Sequence, residues 1–258
     1  MFKLRLLILF IFTPVLVFAQ NQDWRVSKST HFQVFYRGAS EALLDRLIKK
    51  AEGYYEKITD DFGFNRFNFW TWDNRAKIYL FDTQEEYMKE NSGPDWSAGL
   101  VTVSNKSIQC YAAAPGFLDH VLAHELAHII FREVVGFNNP AVPLWLEEGV
   151  ATFQERQSEN QSVQRYLAAK VRTNNFMSLD QLNRFDLMRV KDKQLIELFY
   201  AESYSLLNYL IKEFGRDKFV LFCHWLRDYK DLVRALRMAY AFASLQELES
   251  SWKEQLLL

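Results

Sequence analysis

The stretch that decides the fold spans residues 121–135 and reads VLAHELAHIIFREVV. Its apolar residues recur at helical spacing and neither Gly nor Pro interrupts them. The pattern therefore predicts a helix over about residues 117–135 that ends at Gly136. On this helix His124 and His128 lie one turn apart on the same face. Two imidazoles with this spacing can converge on one metal ion, which makes both histidines candidate metal ligands.

Glu125 lies beside these histidines. It is rotated from His124 by about 100° around the helix, so its carboxylate borders the metal rather than ligating it. A carboxylate in that place can take a proton from a metal-bound water and later deliver it to a leaving amine. For the pentapeptide HELAH alone, the alternative is a pair of histidines on a helix face that holds no metal.

A second stretch, residues 143–152, reads PLWLEEGVAT and predicts another helix. A catalytic zinc takes three protein ligands and leaves a fourth position open, and a carboxylate on a second helix can be the third ligand. Glu147 and Glu148 are both candidates by residue type. Thr152 follows Glu148 by one turn, where its hydroxyl either supports a ligating side chain or belongs to an ordinary core threonine.

Together, HELAH and PLWLEEGVA resemble the gluzincin metallopeptidases, and most closely the small peptidase-MA-like families. The spacing HExxH-x19-E is also that of thermolysin-like enzymes. In this pattern the Glu directly before Gly is the third ligand, which points to Glu148, while Glu147 faces solvent or supports the ligands. The resemblance implies a zincin-like fold, one Zn2+ per chain, and a peptide or protein as the substrate.

The resemblance continues on both sides of these motifs and covers most of the chain. His31-Phe32 is similar to a His-Phe pair early in the family's domains, and residues 200–204 (Tyr-Ala-Glu-Ser-Tyr) are similar to its late helix. Related enzymes stabilise the developing oxyanion with Tyr or His, so the resemblance makes Tyr204 the first candidate donor and Tyr200 the second. The alternative for each tyrosine is packing in the core.

The rest of the sequence predicts two halves of different structure. Alternating segments and two helices precede Gly116, whereas the pattern after it is helical almost throughout. We therefore expect an α+β fold, with a small mixed N-terminal sheet and helices followed by a mostly helical C-terminal lobe. The predicted strands are 31–36, 76–81, 98–103 and 107–112, and the predicted helices are 40–61, 83–89, 117–135, 144–157, 162–171, 193–214, 216–226, 232–240 and 244–254.

Residues 20–258 are expected to form a single zincin-like metallopeptidase domain. Its sheet-bearing lobe should cover about residues 20–136 and its helical lobe about residues 137–258. The predicted strand at 98–103 is a candidate edge strand, along which a peptide substrate adds as a further strand in zinc peptidases. An ordinary internal strand is the alternative.

The N-terminus has the pattern of a targeting segment. Lys3 and Arg5 precede an apolar run, Leu6–Phe18, and a small residue, Ala19, follows it. This pattern predicts a signal peptide over residues 1–19. The run is short for a membrane span of about 20 residues, although an uncleaved membrane anchor is the alternative. We therefore expect a secreted or periplasmic protein without stable membrane insertion after cleavage.

The composition argues against some classes of function. The chain of 258 residues has a net charge of −1, and its Lys and Arg residues are scattered, so no nucleic-acid partner is expected. Hydrophobic residues make up 49% of the chain, which is ample for a packed core. The two cysteines, Cys110 and Cys223, either pair in an oxidising compartment or remain as buried thiols.

These features together predict an exported zinc-dependent peptidase that hydrolyses peptide bonds through a zinc-activated water. Glu125 is its expected general base and acid. The alternative is a catalytically inactive, zincin-like binding module of the cell envelope. Such a module has no need of Glu125, so the presence of that residue favours the peptidase.

Overall fold

The fold is α+β, as predicted, with a small mixed sheet in the N-terminal half and helices in most of the remainder. The computed structural model describes residues 24–64, 70–91, 99–114, 116–156 and 160–258. The predicted signal peptide, residues 1–19, lies outside the described residues.

The sheet formed by the described residues contains β1 (Arg25–Lys28), β2 (Phe32–Tyr36), β3 (Ala76–Phe81), β4 (Gly99–Thr102) and β5 (Ser107–Tyr111). Their order is β1-β2-β3-β5-β4. The three central strands run parallel, whereas β1 and β4 pair antiparallel at the two edges. The candidate edge strand of the sequence analysis, β4, thus does lie at an edge of this sheet.

Helix α1 (Glu41–Asp61) is the crossover between the parallel strands β2 and β3, a connection that a tight turn cannot make. Hydrogen bonds tie this helix to the start of β2. Nδ1 of His31 lies 2.6 Å from Oε2 of Glu52, and the backbone N–H of His31 donates to Oε1 of Glu52 at 2.9 Å. The His31 ring also stacks on Tyr55, with 3.9 Å between ring centroids. His31 therefore joins the helix to the sheet.

Helices account for most of the chain after β3. A π-helical turn, Phe117–Val121, leads directly into the helix that carries HELAH. No helix of the described residues is long and apolar enough to cross a membrane. The helices are α2 (Gln84–Glu90), α3 (Leu122–Val135), α4 (Leu144–Arg156), α5 (Asn160–Arg172), α6 (Leu179–Asn183), α7 (Lys193–Phe214), α8 (Arg216–Tyr229), α9 (Leu232–Tyr240) and α10 (Leu245–Leu257).

The sequence signals for helix ends are confirmed. Thr83 Oγ1 accepts the backbone N–H of Glu86 at 3.2 Å and caps α2. Gly136 and Gly215 follow α3 and α7 with φ angles of 95° and 82°, which residues with a Cβ rarely adopt. Helix α6 was not predicted, although Ser178 and Gln181 form a capping box whose residue types were a signal in the sequence.

Helix α4 packs against α7 through a glycine. A Cβ atom on Gly149 would lie 2.7 Å from the backbone oxygen of Ser203 and 3.4 Å from the side chain of Leu207. Carbon and oxygen atoms that are not bonded do not approach so closely without strain, so any side chain at residue 149 would push the helices apart. This contact explains the glycine in PLWLEEGVA.

The described residues fall into two compact units. The first contains the described residues of Met1–Lys57 and Phe67–Ile129, and it includes the whole sheet. The second contains the described residues of Ile58–Arg66 and Ile130–Leu258. Aromatic rings form part of the core of the second unit, among them Phe62, Phe64, Phe153 and Phe219.

The cysteines are buried thiols. Both Cys110 and Cys223 are free and fully enclosed. Burial disfavours the thiolate and raises the pKa of each thiol. Of the two alternatives left open by the sequence, the structure therefore has the unpaired one.

Replacing Gly149 with Ala should destabilise the protein, because the added Cβ meets the α7 backbone at 2.7 Å. We expect the free energy of unfolding to fall by about 1–3 kcal/mol in urea denaturation. Gly53→Ala is the matched control, since Gly53 also lies inside a helix and its Cβ would meet nothing within 4 Å. The control should raise the free energy of unfolding by about 0.5–1 kcal/mol. Equal stability of the two variants would contradict the packing argument.

Candidate metal centre

The candidate metal centre begins on α3, a helix enclosed by apolar side chains. Leu126 and Ile130 are fully buried, and so is His128, while His124 is nearly so. The Nε2 atoms of the two histidines lie 3.1 Å apart. A tetrahedral zinc with Zn–N bonds of about 2.0–2.1 Å holds two nitrogens a little over 3 Å apart. The separation therefore fits two ligands of one ion.

Helix α4 brings a carboxylate to this pair. Glu148 is 1% exposed, and the ligand atoms of His124, His128 and Glu148 all lie within 4.8 Å of one another. In the part of the chain that the structure describes, these three residues form a group able to hold a metal ion. Two imidazoles and one carboxylate are the donor set of one class of catalytic zinc site.

The neighbouring glutamate makes a different contact. Glu147 is 5% exposed, so of the two alternatives for this residue the structure excludes the one in which it faces solvent. Arg132 of α3 binds it with two nitrogens: Nε donates to Oε1 at 2.8 Å, and Nη2 donates to Oε2. Such a bidentate pair is stronger and more directional than a single charged hydrogen bond. The metal-capable group thus contains Glu148, while Glu147 is held by a guanidinium.

Two further residues of the motifs are buried. Glu125 follows His124 on α3 and has no exposed surface. Thr152 lies one turn after Glu148 on α4, and its hydroxyl has no hydrogen-bond partner among the described residues. Thr152 therefore makes no supporting hydrogen bond to a ligating side chain. The proton-transfer role of Glu125 stays a prediction.

The two candidate oxyanion donors both lie on α7, the helix that packs on α4. Tyr204 is 1% exposed, and its ring centroid lies 6.0 Å from that of Phe153 on α4. Tyr200, one turn earlier, is half-buried beside Phe199. Their role toward a substrate stays a prediction, but the two side chains differ clearly in accessibility.

A comparison with known families agrees with this geometry. The family model described as the Peptidase MA superfamily matches residues 72–257, which is more than half of the chain. The chain belongs to the peptidase MA superfamily. A search of curated proteins finds no match. Membership supports a peptidase-like function with a peptide or protein as the substrate, in a superfamily that usually depends on a metal.

Arg132 of this peptidase MA superfamily member was missed by the sequence analysis. A signal for it was present, because His124, His128 and Arg132 succeed one another at intervals of four residues. That spacing places all three on one face of α3. The spacing does not identify the partner of Arg132, because it does not show which side chain of another helix meets that face.

Helix α7 holds a buried glutamate between the two candidate tyrosines. Oε1 of Glu202 accepts the backbone N–H of Met177 at 3.0 Å, and Oε2 has no hydrogen-bond partner among the described residues. Burial raises the pKa of Glu202 to about 9, against smaller opposing effects of the Met177 bond and of Lys253. The carboxyl is therefore neutral at pH 7 and holds the segment before α6 against α7.

Glu202 should make the fold less stable as the pH rises. In the unfolded chain this group ionises near its ordinary pKa of 4.5, whereas in the folded state it keeps its proton up to about pH 9. Between these values the unfolded state binds fewer protons, so the free energy of unfolding falls with rising pH. Glu202→Gln removes this contribution and keeps the acceptor for Met177.

Denaturation at pH 4.5, 7 and 9 tests this expectation. The variant should gain stability over the wild type as the pH increases, with little difference at pH 4.5. Glu213→Gln, at an exposed glutamate of the same helix, is the matched control. A stability difference that does not change with pH, or that is largest at pH 4.5, would show that the buried carboxyl is not neutral in the folded state.

Proposed function

We propose that this chain is an exported, zinc-dependent peptidase of the gluzincin type. The observation that carries the proposal is the buried group of His124, His128 and Glu148, whose ligand atoms lie within 4.8 Å of one another. Glu125 stands next to the first of these residues on the same helix. Its presence is what distinguishes a hydrolytic site from a site that only binds metal.

The donor set fits zinc. Two imidazoles and a carboxylate suit this ion, and their burial limits the access of water to the charges. When bound, zinc supplies Lewis-acid polarisation of a substrate carbonyl. His124, His128 and Glu148 would hold the ion, and one ion per chain is expected.

Glu125 is the proposed proton carrier. Its carboxylate takes the proton of the attacking water and then delivers it to the nitrogen of the leaving amine. Because the helix places it one residue after His124, it can reach the reacting atoms without being a ligand. The surrounding apolar side chains keep bulk water from competing for the proton.

A tyrosine of α7 is the proposed donor to the developing oxyanion. A donor must reach the substrate, and Tyr200 is half-buried whereas Tyr204 is 1% exposed. Since Glu125 and Glu148 are as buried as Tyr204, Tyr204 stays the first candidate, and Tyr200 is the more accessible second one. The substrate itself is proposed to add as an extended strand along β4, which lies at an edge of the sheet that the described residues form.

Export is proposed from the sequence of residues 1–19. Its positive start, apolar run and small residue at position 19 are the features of a cleavable signal peptide. A catalytically inactive binding module is the second candidate function. It would use the same metal group without turnover, and it is separated from a peptidase by the second of the two experiments below.

Purified protein should contain about one zinc per chain by elemental analysis, and His124→Ala should contain almost none. His124 supplies one of only three protein ligands, so its loss removes the site. His120→Ala is the matched control, because His120 is an exposed histidine one turn earlier and lies outside the metal-capable group. A wild-type protein that stays empty after addition of zinc would falsify the proposed function.

Glu125→Gln should abolish peptide cleavage while zinc remains bound. Gln keeps the size of the side chain but cannot carry the proton, so we expect turnover to fall by about 10²- to 10⁴-fold. Cleavage of a peptide library, followed by mass spectrometry and paired with zinc analysis, measures both properties. Glu133→Gln on the same helix should cleave like the wild type. If the wild type binds zinc but cleaves nothing, the binding module replaces the peptidase.

A further inference from the structure

We infer that Arg132 is a positioning residue that directs Glu148, rather than Glu147, to the metal. The inference rests on the proposed function, because it concerns how the third ligand of that site is oriented. Arg132 itself is not among the metal-capable residues. It acts through its contact with Glu147, the residue directly before the ligand.

Helix geometry places Arg132 next to the site. It follows His128 by four residues on the continuous helix α3, so it lies just over one turn, or roughly 6 Å along the axis, beyond the second imidazole. The face of α3 that presents the two imidazoles therefore ends in a guanidinium. Glu147 is in the first turn of α4 and Glu148 follows it directly, and they meet this face with two carboxylates.

Arg132 is itself fixed to the backbone. Its Nη1 donates to the carbonyl oxygen of Asn139 at 3.1 Å. The side chain of Asn139 in turn donates to the carbonyl oxygens of Val135 and Leu226, each at 2.9 Å, and accepts the N–H of Ala141 at 3.0 Å. Because Asn139 is buried and bonded on every side chain atom that can bond, the guanidinium has a rigid support.

The fixed guanidinium sets the rotation of α4. Successive residues of a helix point about 100° apart, so holding the Glu147 carboxylate with two hydrogen bonds determines the direction in which Glu148 points. On its other side α4 is held by the contact between Gly149 and Ser203. The orientation of the ligand is thus defined by contacts on both sides of the helix.

The charge of Arg132 also separates the roles of the two glutamates. Both carboxylates are buried, and a single divalent ion would attract either of them. Arg132 occupies both oxygens of Glu147 and leaves Glu148 as the carboxylate within 4.8 Å of the imidazole ligand atoms. Both residues are glutamates, so residue type does not decide which of them binds the metal. The ion pair with Arg132 decides it.

The ion pair between Arg132 and Glu147 could serve only the stability of the fold, or it could position the metal ligand. Substituting both residues together distinguishes these two roles. Replacing Arg132 by Met and Glu147 by Leu together exchanges the buried ion pair for apolar groups of similar volume, a change that is often neutral or stabilising. It removes the directed hydrogen bonds and leaves no unpaired charge behind. Arg132→Lys is the second variant, since it keeps the charge but lacks the planar fork.

The experiment compares the full chain and its variants in three measurements. They are the zinc dissociation constant from competition with a chelator, the visible spectrum of the Co2+-substituted protein, and the melting temperature of the metal-free protein. For R132M/E147L we expect zinc binding weakened by roughly 10- to 100-fold and a shifted Co2+ spectrum, at a melting temperature close to that of the wild type. Arg132→Lys should lie in between. Arg184→Met, which breaks an exposed ion pair with Asp180, should match the wild type in all three.

The outcomes test the proposed function and the positioning role of Arg132 separately. A wild type that binds no zinc overturns the proposed function and this inference with it. If the wild type binds zinc, and the double variant has the same zinc affinity and the same Co2+ spectrum, only the positioning role of Arg132 is overturned. Loss of zinc affinity only in step with a lower melting temperature overturns it as well. If the double variant does not fold, an unchanged affinity and spectrum in Arg132→Lys has the same meaning.

Discussion

The burial of several carboxylates in one place is the constraint on which the rest of the structure depends. Glu125, Glu147 and Glu148 lie within two helices whose other side chains are largely apolar, and solvent hardly reaches any of them. Removing a carboxylate from water costs several kcal/mol unless positive charge or hydrogen bonds replace the water. Arg132 meets this requirement for Glu147. A divalent ion beside two imidazoles would add positive charge next to Glu148.

The scaffold around these charges explains how they can be held so closely. Helix α4 is fixed at its first turn by Arg132 and along its length by α7, which approaches to the backbone at Gly149. The end of α3 is fixed by Gly136 and by the hydrogen bonds of Asn139. These contacts use backbone atoms, a bidentate ion pair and a buried amide side chain. Directed hydrogen bonds and backbone packing thus hold α4 against the end of α3 and against α7.

What the sequence could predict was whatever depends on neighbours along the chain. The helical period of HELAH, the cap at Thr83 and the glycines that end α3 and α7 are local features, and the structure has all of them. The pairing of Glu147 with Arg132 depends on how one helix crosses another, which residue spacing does not contain. For the same reason the sequence left open whether Tyr204 packs in the core, where the structure buries it almost completely. The metal-capable group could be predicted from the sequence because two of its residues share one helix, and the third lies beside a recognisable glycine.

The buried Glu125 is the residue at which the fold and the proposed function meet. Glu125 shares α3 with the buried residues Leu126, Ile129 and Ile130. An apolar residue at position 125 would fit the pattern of buried positions on this helix better than a carboxylate does. Positions that break such a local rule, without an evident gain in stability, are expected at functional sites. The metal-capable group is complete with His124, His128 and Glu148, so metal binding alone would not require a further carboxylate at position 125. The proposed mechanism does require one for proton transfer, and it assigns that role to Glu125.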